Sequence, residues 1–301
     1  MTQVKTSNKA GPTAEARASK KIRSKKGIPP MILFLMVTFA LIVIASLLAP
    51  VLFPIDLAAT DLGSRLAKPR FLDSSSPYLF GTDNLGRDVA VRLLYATRST
   101  ITIAFSGMVI AAAAGTILGV VGGLKGGWWD LVITFLTDAR LSIPTTFIGI
   151  ICACILGASE KTIVMVIAIT GWSSFTRLVR SQVLQLKNAD FIESSRSLGA
   201  SNTRILLEHI LINISSPLIV EATLSLSSFV LLESTLSYLG LGIQPPNTSL
   251  GLMVSNGRDF MLNNWWLAII PSIVIVIIIL QISLIGDWLR DKLDPKLQNN
   301  R

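Results

Sequence analysis

The stretch Asp190-Phe191-Ile192-Glu193-Ser194-Ser195-Arg196-Ser197-Leu198-Gly199-Ala200-Ser201 is polar and carries charges of both signs. It continues as Asn202-Thr203-Arg204-Ile205-Leu206-Leu207-Glu208-His209-Ile210-Leu211, yet the whole lies between long apolar segments. Asp190 can cap a helix start, and Glu193, three residues on, suits the reciprocal capping position. Gly199 supplies a sharp stop, after which Ser201 or Asn202 can cap a second short helix. The pattern predicts two small helices whose apolar residues Ile192, Leu198, Ile205 and Leu206 share one side. Such a pair is a docking knob for another protein, for which a chain that only conducted a solute would have little use.

Working outward, the composition decides what surrounds this stretch. Of 301 residues, 51% are hydrophobic and 15% charged, against about 25% charged in a soluble domain. The apolar residues come in runs rather than at amphipathic spacing, which argues against a large soluble core. A membrane span needs roughly 20 apolar residues, and six runs qualify, near 31–53, 100–124, 131–156, 162–180, 217–243 and 265–286. Pro54, Pro217 and Pro245 sit at or near span ends, while Pro144 and Pro271 fall within spans and are expected to kink them. The fold class is therefore all-α, integral to the membrane, with six transmembrane helices.

Charge sets the orientation. The segment 1–30 carries Lys5, Lys9, Arg17, Lys20, Lys21, Arg23, Lys25 and Lys26 against Glu15 alone. Aromatic stacking residues are not interleaved with these charges, so nucleic-acid binding is the poorer reading. A cytoplasmic basic flank before an uncleaved anchor at 31–53 fits better. Both termini are then cytoplasmic, the second and fourth connections face inward, and the tail 287–301 follows the last span. Arg177, Arg180, Lys187, Arg196 and Arg204 enrich the inner connection 181–216 and its approaches, whereas the outer loop 244–264 holds only Arg258 and Asp259. The outer connection 54–98 is nearly balanced, and its second half, 81–98, reads as an interfacial helix leading into a five-helix core over 99–286.

Gly115, Gly119 and Gly123 recur every four residues and permit close helix approach, within the chain or toward another subunit. Trp128, Trp129, Trp265 and Trp266 suit the two interface belts. Cys152 and Cys154 point in divergent directions on a helix, which favours neither a disulfide nor a metal pair. With one histidine and no phosphate-loop or nucleophile-elbow motif, no catalytic or metal-ligating set emerges. Intramembrane charges are few: Asp138, Arg140, Glu221 and Glu233. Such residues are functional candidates by default. Glu233 either faces a solute path or serves as a hydrogen-bonded packing group. A proton-driven carrier would show more of them.

The inner stretch resembles the coupling segment of binding-protein-dependent ABC importer permeases, whose pattern is E-A-A-x-x-x-G, nine residues, then I-x-L-P. Glu193 and Gly199 match and Leu211 falls at the expected distance. Ser194 and Ser195 replace the two alanines, His209 stands where isoleucine is frequent, and Ile212 replaces the proline. Three further stretches resemble the C-type permease of dipeptide, oligopeptide and nickel importers. They are Gly81-Thr82-Asp83-Asn84-Leu85-Gly86-Arg87-Asp88, Leu239-Gly240-Leu241-Gly242-Ile243-Gln244-Pro245-Pro246, and Gly286-Asp287-Trp288-Leu289-Arg290-Asp291-Lys292-Leu293-Asp294-Pro295.

The resemblance implies a type I importer fold in a bacterial or archaeal cell membrane, paired with a second, non-identical permease. It also implies two cytoplasmic ATPases that hold ATP and Mg, and an extracellular solute-binding protein; no cofactor is implied for this chain itself. Asp190, Glu193, Ser194, Ser195, Gly199, Ala200, Ser201 and His209 would belong to the ATPase-coupling loop. A side chain at Gly199 is expected to obstruct its turn. Asp83, Arg87, Asp88, Gln244, Pro245 and Pro246 would contact the binding protein. Peptides are the expected cargo, with nickel or metal–chelator complexes as the alternative. A secondary carrier or a channel would be the reading from another class.

Overall fold

The computed structural model describes residues 28–293. The basic run before Ile28 and the chain from Asp294 onward lie outside the described residues. Helix α1 spans Pro30–Leu52 and opens with Pro30 in its first turn, where a missing N–H costs nothing. A long connection leads to α2, Val89–Lys125. Then come α3, Gly127–Leu141, and α4, Thr145–Leu156. Helix α5 is Glu160–Leu186 and α6 the short Asp190–Ser197. Helix α7 runs Asn202–Tyr238, α8 is Leu250–Arg258, and α9 closes the bundle at Trp266–Leu293.

Five of these helices (α1, α2, α5, α7 and α9) are long and apolar enough to cross a membrane. The sixth expected span is α3 with α4, bent by 87° at the break between them. Pro144 does more than kink it. Ser142 Oγ donates to the Asp138 carbonyl at 2.9 Å and closes α3. Pro144 itself is extended, at ψ 132°, so the helix does not resume in line.

Three further expectations are corrected. The interfacial helix expected over 81–98 is a loop to Asp88 followed by the outer end of α2. Asp88 accepts the Ala90 N–H at 2.7 Å and so starts that helix well before residue 100. Pro217 does not begin a span but lies inside α7, which runs unbroken from Asn202 through a π-helical turn at Ile205–Ile210. The proline removes one backbone donor from a long ladder, a loss the remaining bonds tolerate. Finally, α9 extends to Leu293, so the first residues assigned to the C-terminal tail are helical.

The centre of the bundle is a zipper of small residues between α2 and α5. A Cβ on Gly107, Gly115, Gly119 or Gly123 would come within 2.5–2.7 Å of Ile167, Phe175, Val179 or Val183 respectively. Both rows advance in steps of eight, four and four residues, so the two helices meet closely from Gly107 to Gly123. The glycine repeat is thus spent within the chain. Helix α1 lies at the periphery, largely unburied, and is tied to α9 by Gln281 Nε2 donating to Thr38 Oγ1 at 2.8 Å. Trp128 and Trp129 are exposed, but Trp266 is buried at 2% exposure, so it serves the core rather than an interface belt. Helix α8 lies inside the outer loop, where the sequence shows no apolar run long enough to mark it. Ser249 caps it by accepting the Leu252 N–H at 3.3 Å, and Leu250, Leu252 and Met253 bury behind that cap.

Candidate coupling site, translocation groove and outer knot

On the inner side, α6 and the turn after it form a small handle. Its N-cap is Ala189, not Asp190, and no side chain caps it. Asp190 is the first helical residue, which places Glu193 one position too late for a reciprocal cap. Both carboxylates nevertheless stand in the first turn, where the helix dipole favours negative charge. The end of α6 is a Schellman closure. The Ala200 N–H reaches the Ser195 carbonyl at 3.1 Å and the Gly199 N–H reaches Arg196 O at 3.0 Å, with Gly199 at φ +85°. An added Cβ at Gly199 meets nothing within 4 Å. The glycine is needed for its backbone conformation, not because a side chain would obstruct the turn.

Ser201 Oγ accepts the Arg204 N–H at 3.3 Å and starts α7 at once. Ser195 Oγ lies 3.2 Å from His209 Nε2, and Phe191 meets the same imidazole edge-on, which fixes α6 against α7. The expected apolar knob divides in two. Ile192 and Ile205 are buried with Val120, Val179, Val183, Ile210 and Ile214, and Leu206 packs against that cluster. They anchor the handle to the bundle. Leu198, 89% exposed, is the apolar tip, with half-exposed Phe191 beside it. Ser194 and Glu193 share its open face, while Ala200 is half-buried.

The helix beneath the handle is braced by ion pairs that a linear reading counts as free inner charge. Arg180 clasps Asp130 of α3 with both nitrogens, one contact measuring 2.7 Å. Arg177 meets Asp138 at 3.1 Å, and Lys187 Nζ donates to Gly123 O at 3.0 Å.

Between α3–α4, α5 and α7 lies an open groove of about 570 Å³, within the usual size range of small-molecule sites. Hydroxyls of Thr145, Thr170, Ser174, Ser225 and Thr235 line it, together with Arg140 and Glu221. A second hollow toward the inner side shares Leu141 and Ser174 with it and adds Arg177 and Ser181. The two follow α5 for about 16 Å from Thr170 to Ser181 at the helical rise, and Leu224, Phe229 and Leu232 share the walls with the hydroxyls. Glu233 does not line it. That carboxyl group is fully buried, with Ser237 Oγ donating at 2.7 Å and Ser234 Oγ at 3.4 Å. The hydroxyls of Thr100 and Ser249 reach it as well, so Glu233 ties α7 to α2 and α8.

On the outer side, residues 81–92 are tied into a knot. Asp83 accepts Arg87 Nε at 2.8 Å, the backbone N–H groups of Leu85 and Arg87 at 2.8 and 3.0 Å, and a short contact from Arg92. Arg92 is buried and also donates to Thr248 Oγ1 at 3.3 Å. Arg87 continues to the Leu57 carbonyl. A Cβ on Gly86 would lie 1.7 Å from Asp61 O, and one on Gly81 2.5 Å from Ala67 O. Asp83, Arg87 and Asp88 are therefore committed to internal bonds and offer little free surface to a partner. Gln244, Pro245 and Pro246 are exposed beside the knot, with Gln244 Nε2 held by the Gly240 and Gly242 carbonyls.

Comparison with known proteins converges on one family. Residues 114–299 match the family described as binding-protein-dependent transport system inner membrane component. The dipeptide transport system permease protein of Haemophilus influenzae is 38% identical over 86% of this chain and 89% of its own length. The oligopeptide transport system permease protein of Bacillus subtilis is 34% identical, with 87% and 85% covered. Among solved structures, an inward-facing MetNI methionine ABC transporter superposes with a TM-score of 0.53 at 18% identity, covering 68% of this chain and 96% of that one. An amino acid ABC transporter structure gives the same score at 12% identity, with 67% and 94% covered. These two likenesses concern the fold, a type I ABC importer permease. The chain belongs to the family of binding-protein-dependent transport system inner membrane components.

Proposed function

We propose that this chain is one permease of an ATP-driven importer that moves peptides received from an extracellular binding protein. A second permease would complete the path, and two cytoplasmic ATPases, which would hold ATP and Mg, would drive it. The observation that carries this reading is the handle: an exposed leucine on a turn that buried Ile192 and Ile205 anchor to the bundle. The names of the relatives, dipeptide and oligopeptide permeases, support peptides as cargo. The groove, with hydroxyls and two charges among its apolar walls, supplies a path of suitable size.

The mechanical link is direct, because the second half of the handle is the start of α7. A displacement of Leu198 and Ser201 by a closing ATPase enters a helix of 37 residues that reaches the outer side. Ile192 and Ile205 carry the same displacement into α5 and α2. ATP must bind the closed ATPases more tightly than the open ones, or no population shifts. This chain transmits and conducts; hydrolysis belongs to the partners.

The test is Leu198→Asp in the full complex reconstituted in proteoliposomes. Because Leu198 packs on nothing within the chain, the variant should reach the membrane at the normal level and melt normally. ATP-dependent uptake of a dipeptide should fall about tenfold or more, as for a truncated interface anchor. Undiminished uptake would refute the coupling role. Uptake that survives ATP depletion while an ion gradient remains would favour a secondary carrier.

A further inference from the structure

The groove contains two charges that the bundle leaves unused. Most arginines near it are paired: Arg177 with Asp138 and Arg180 with Asp130. Arg140 is not. Its Nη2 donates to Thr145 Oγ1 at 3.0 Å, its Nε is buried without a partner, and among the described residues no carboxylate lies within 4 Å. Glu221 accepts only Ser225 Oγ at 3.2 Å and likewise has no ion pair. Among the described residues the two are the only ionisable side chains lining the groove, and they come from different helices, the end of α3 and the middle of α7. An unpaired charge at membrane depth is costly and persists where it meets an ion or a charged solute. Two such charges of opposite sign, lining one groove and not bonded to each other, fit a molecule that carries both signs itself.

We propose that Arg140 and Glu221 are specificity-determining contacts of the translocation groove, Arg140 receiving the carboxylate and Glu221 the ammonium group of a zwitterionic solute. Thr145 and Ser225 hold these side chains in the unliganded groove, and the solute's own charges replace them during passage. This inference rests on the importer reading, but it names the chemistry of the path, which that reading leaves open. The guanidinium offers parallel N–H donors to a carboxylate, and the glutamate offers acceptors to an ammonium group. Hydroxyls of Thr170 and Ser174 on α5 and of Thr235 on α7 line the same groove and offer acceptor positions to the ammonium group as the solute moves on.

The experiment uses the complete complex with its binding protein in proteoliposomes and radiolabelled dialanine as the probe, and measures uptake per ATP hydrolysed. That ratio corrects for any loss of assembled complex. Arg140→Gln and Glu221→Gln should each lower it about tenfold, whereas Arg140→Lys and Glu221→Asp should retain most of it. Exchanging the two charges, Arg140→Glu with Glu221→Arg, should recover part of what either single reversal loses. Wild-type ratios in both Gln variants would overturn the inference and leave the importer reading standing. Equal losses in the Gln and the charge-retaining variants would also overturn it, since charge would not then be what matters. Absence of ATP-dependent dialanine uptake by the wild-type complex would instead overturn both readings.

Discussion

The outer knot and the inner handle look alike as sequence and behave oppositely as structure. Each is a short, charged, glycine-containing stretch between apolar runs. In the knot, Asp83 gathers Arg87, Arg92 and two backbone donors, and the glycines sit against carbonyls with no room for a Cβ. In the handle, charges face outward, a Cβ on Gly199 would meet nothing, and Ile192 and Ile205, with the contacts of Ser195 and Phe191 to His209, hold the unit down. Polar groups turned inward make a rigid lid over the bundle's outer end. Polar groups turned outward around one exposed leucine make a surface for another protein. The difference lies in where the hydrogen-bond capacity is used.

The sharpest way to break the comparison is Gly86→Ala. Its Cβ would overlap the Asp61 carbonyl at 1.7 Å, and φ is +76°. Because backbone meets backbone, no side-chain rotation relieves the overlap. The expected loss is about 4 kcal/mol, at the upper end for one substitution. It should appear as a collapse of the melting temperature of the purified chain and low membrane levels. A melting curve like that of the parent would show that the knot is as pliable as the handle.

Next in size is Asp83→Ala, which strands Arg92 in a buried position. Removing one partner of a buried pair costs about 3–5 kcal/mol. The companion double variant Asp83→Ala with Arg92→Leu should recover much of this, because no uncompensated charge remains. Glu193→Ala in the handle should move the melting temperature hardly at all, as an exposed surface change within about 0.5 kcal/mol. If Asp83→Ala and Glu193→Ala melt alike, the two regions are not energetically distinct.

How far the sequence reveals this arrangement depends on what physical signal each feature carries. Span count and orientation follow from long apolar runs and the basic flank, and the turn at Gly199 follows from its local chemistry. The inward turn of Asp83 is invisible because it depends on Arg92, Thr248 and the loop at Asp61 meeting in space. The division of the handle's apolar residues fails for the same reason: Ile192 is buried by Val179 and Val183, not by its neighbours in sequence. The groove was more legible. Glu221, Ser225, Ser228, Leu232 and Thr235 recur at steps of four and three, one face of a helix with hydroxyls on it. Twelve residues separate Glu221 from Glu233, which at the helical step turns Glu233 about 120° away from that face. Glu221, not Glu233, therefore lies on the hydroxyl-bearing face.

A change at the turn of the handle sharpens the comparison most finely. Gly199→Ala forces an L-residue into the left-handed region, at about 1–2 kcal/mol. Since an added Cβ there meets nothing, Gly199→Leu should cost the isolated chain no more than alanine does, and Gly199→Asn should cost less. Melting of the chain alone reports this conformational term. Coupling in the full complex reports something further, because a partner seated around Leu198 would surround position 199 with walls that the chain itself lacks. Leucine should then depress ATP-dependent uptake well below alanine, although the two melt alike. If leucine already melts far below alanine in the isolated chain, the handle is crowded from within and resembles the knot. If the two also transport alike, nothing docks closely around Leu198.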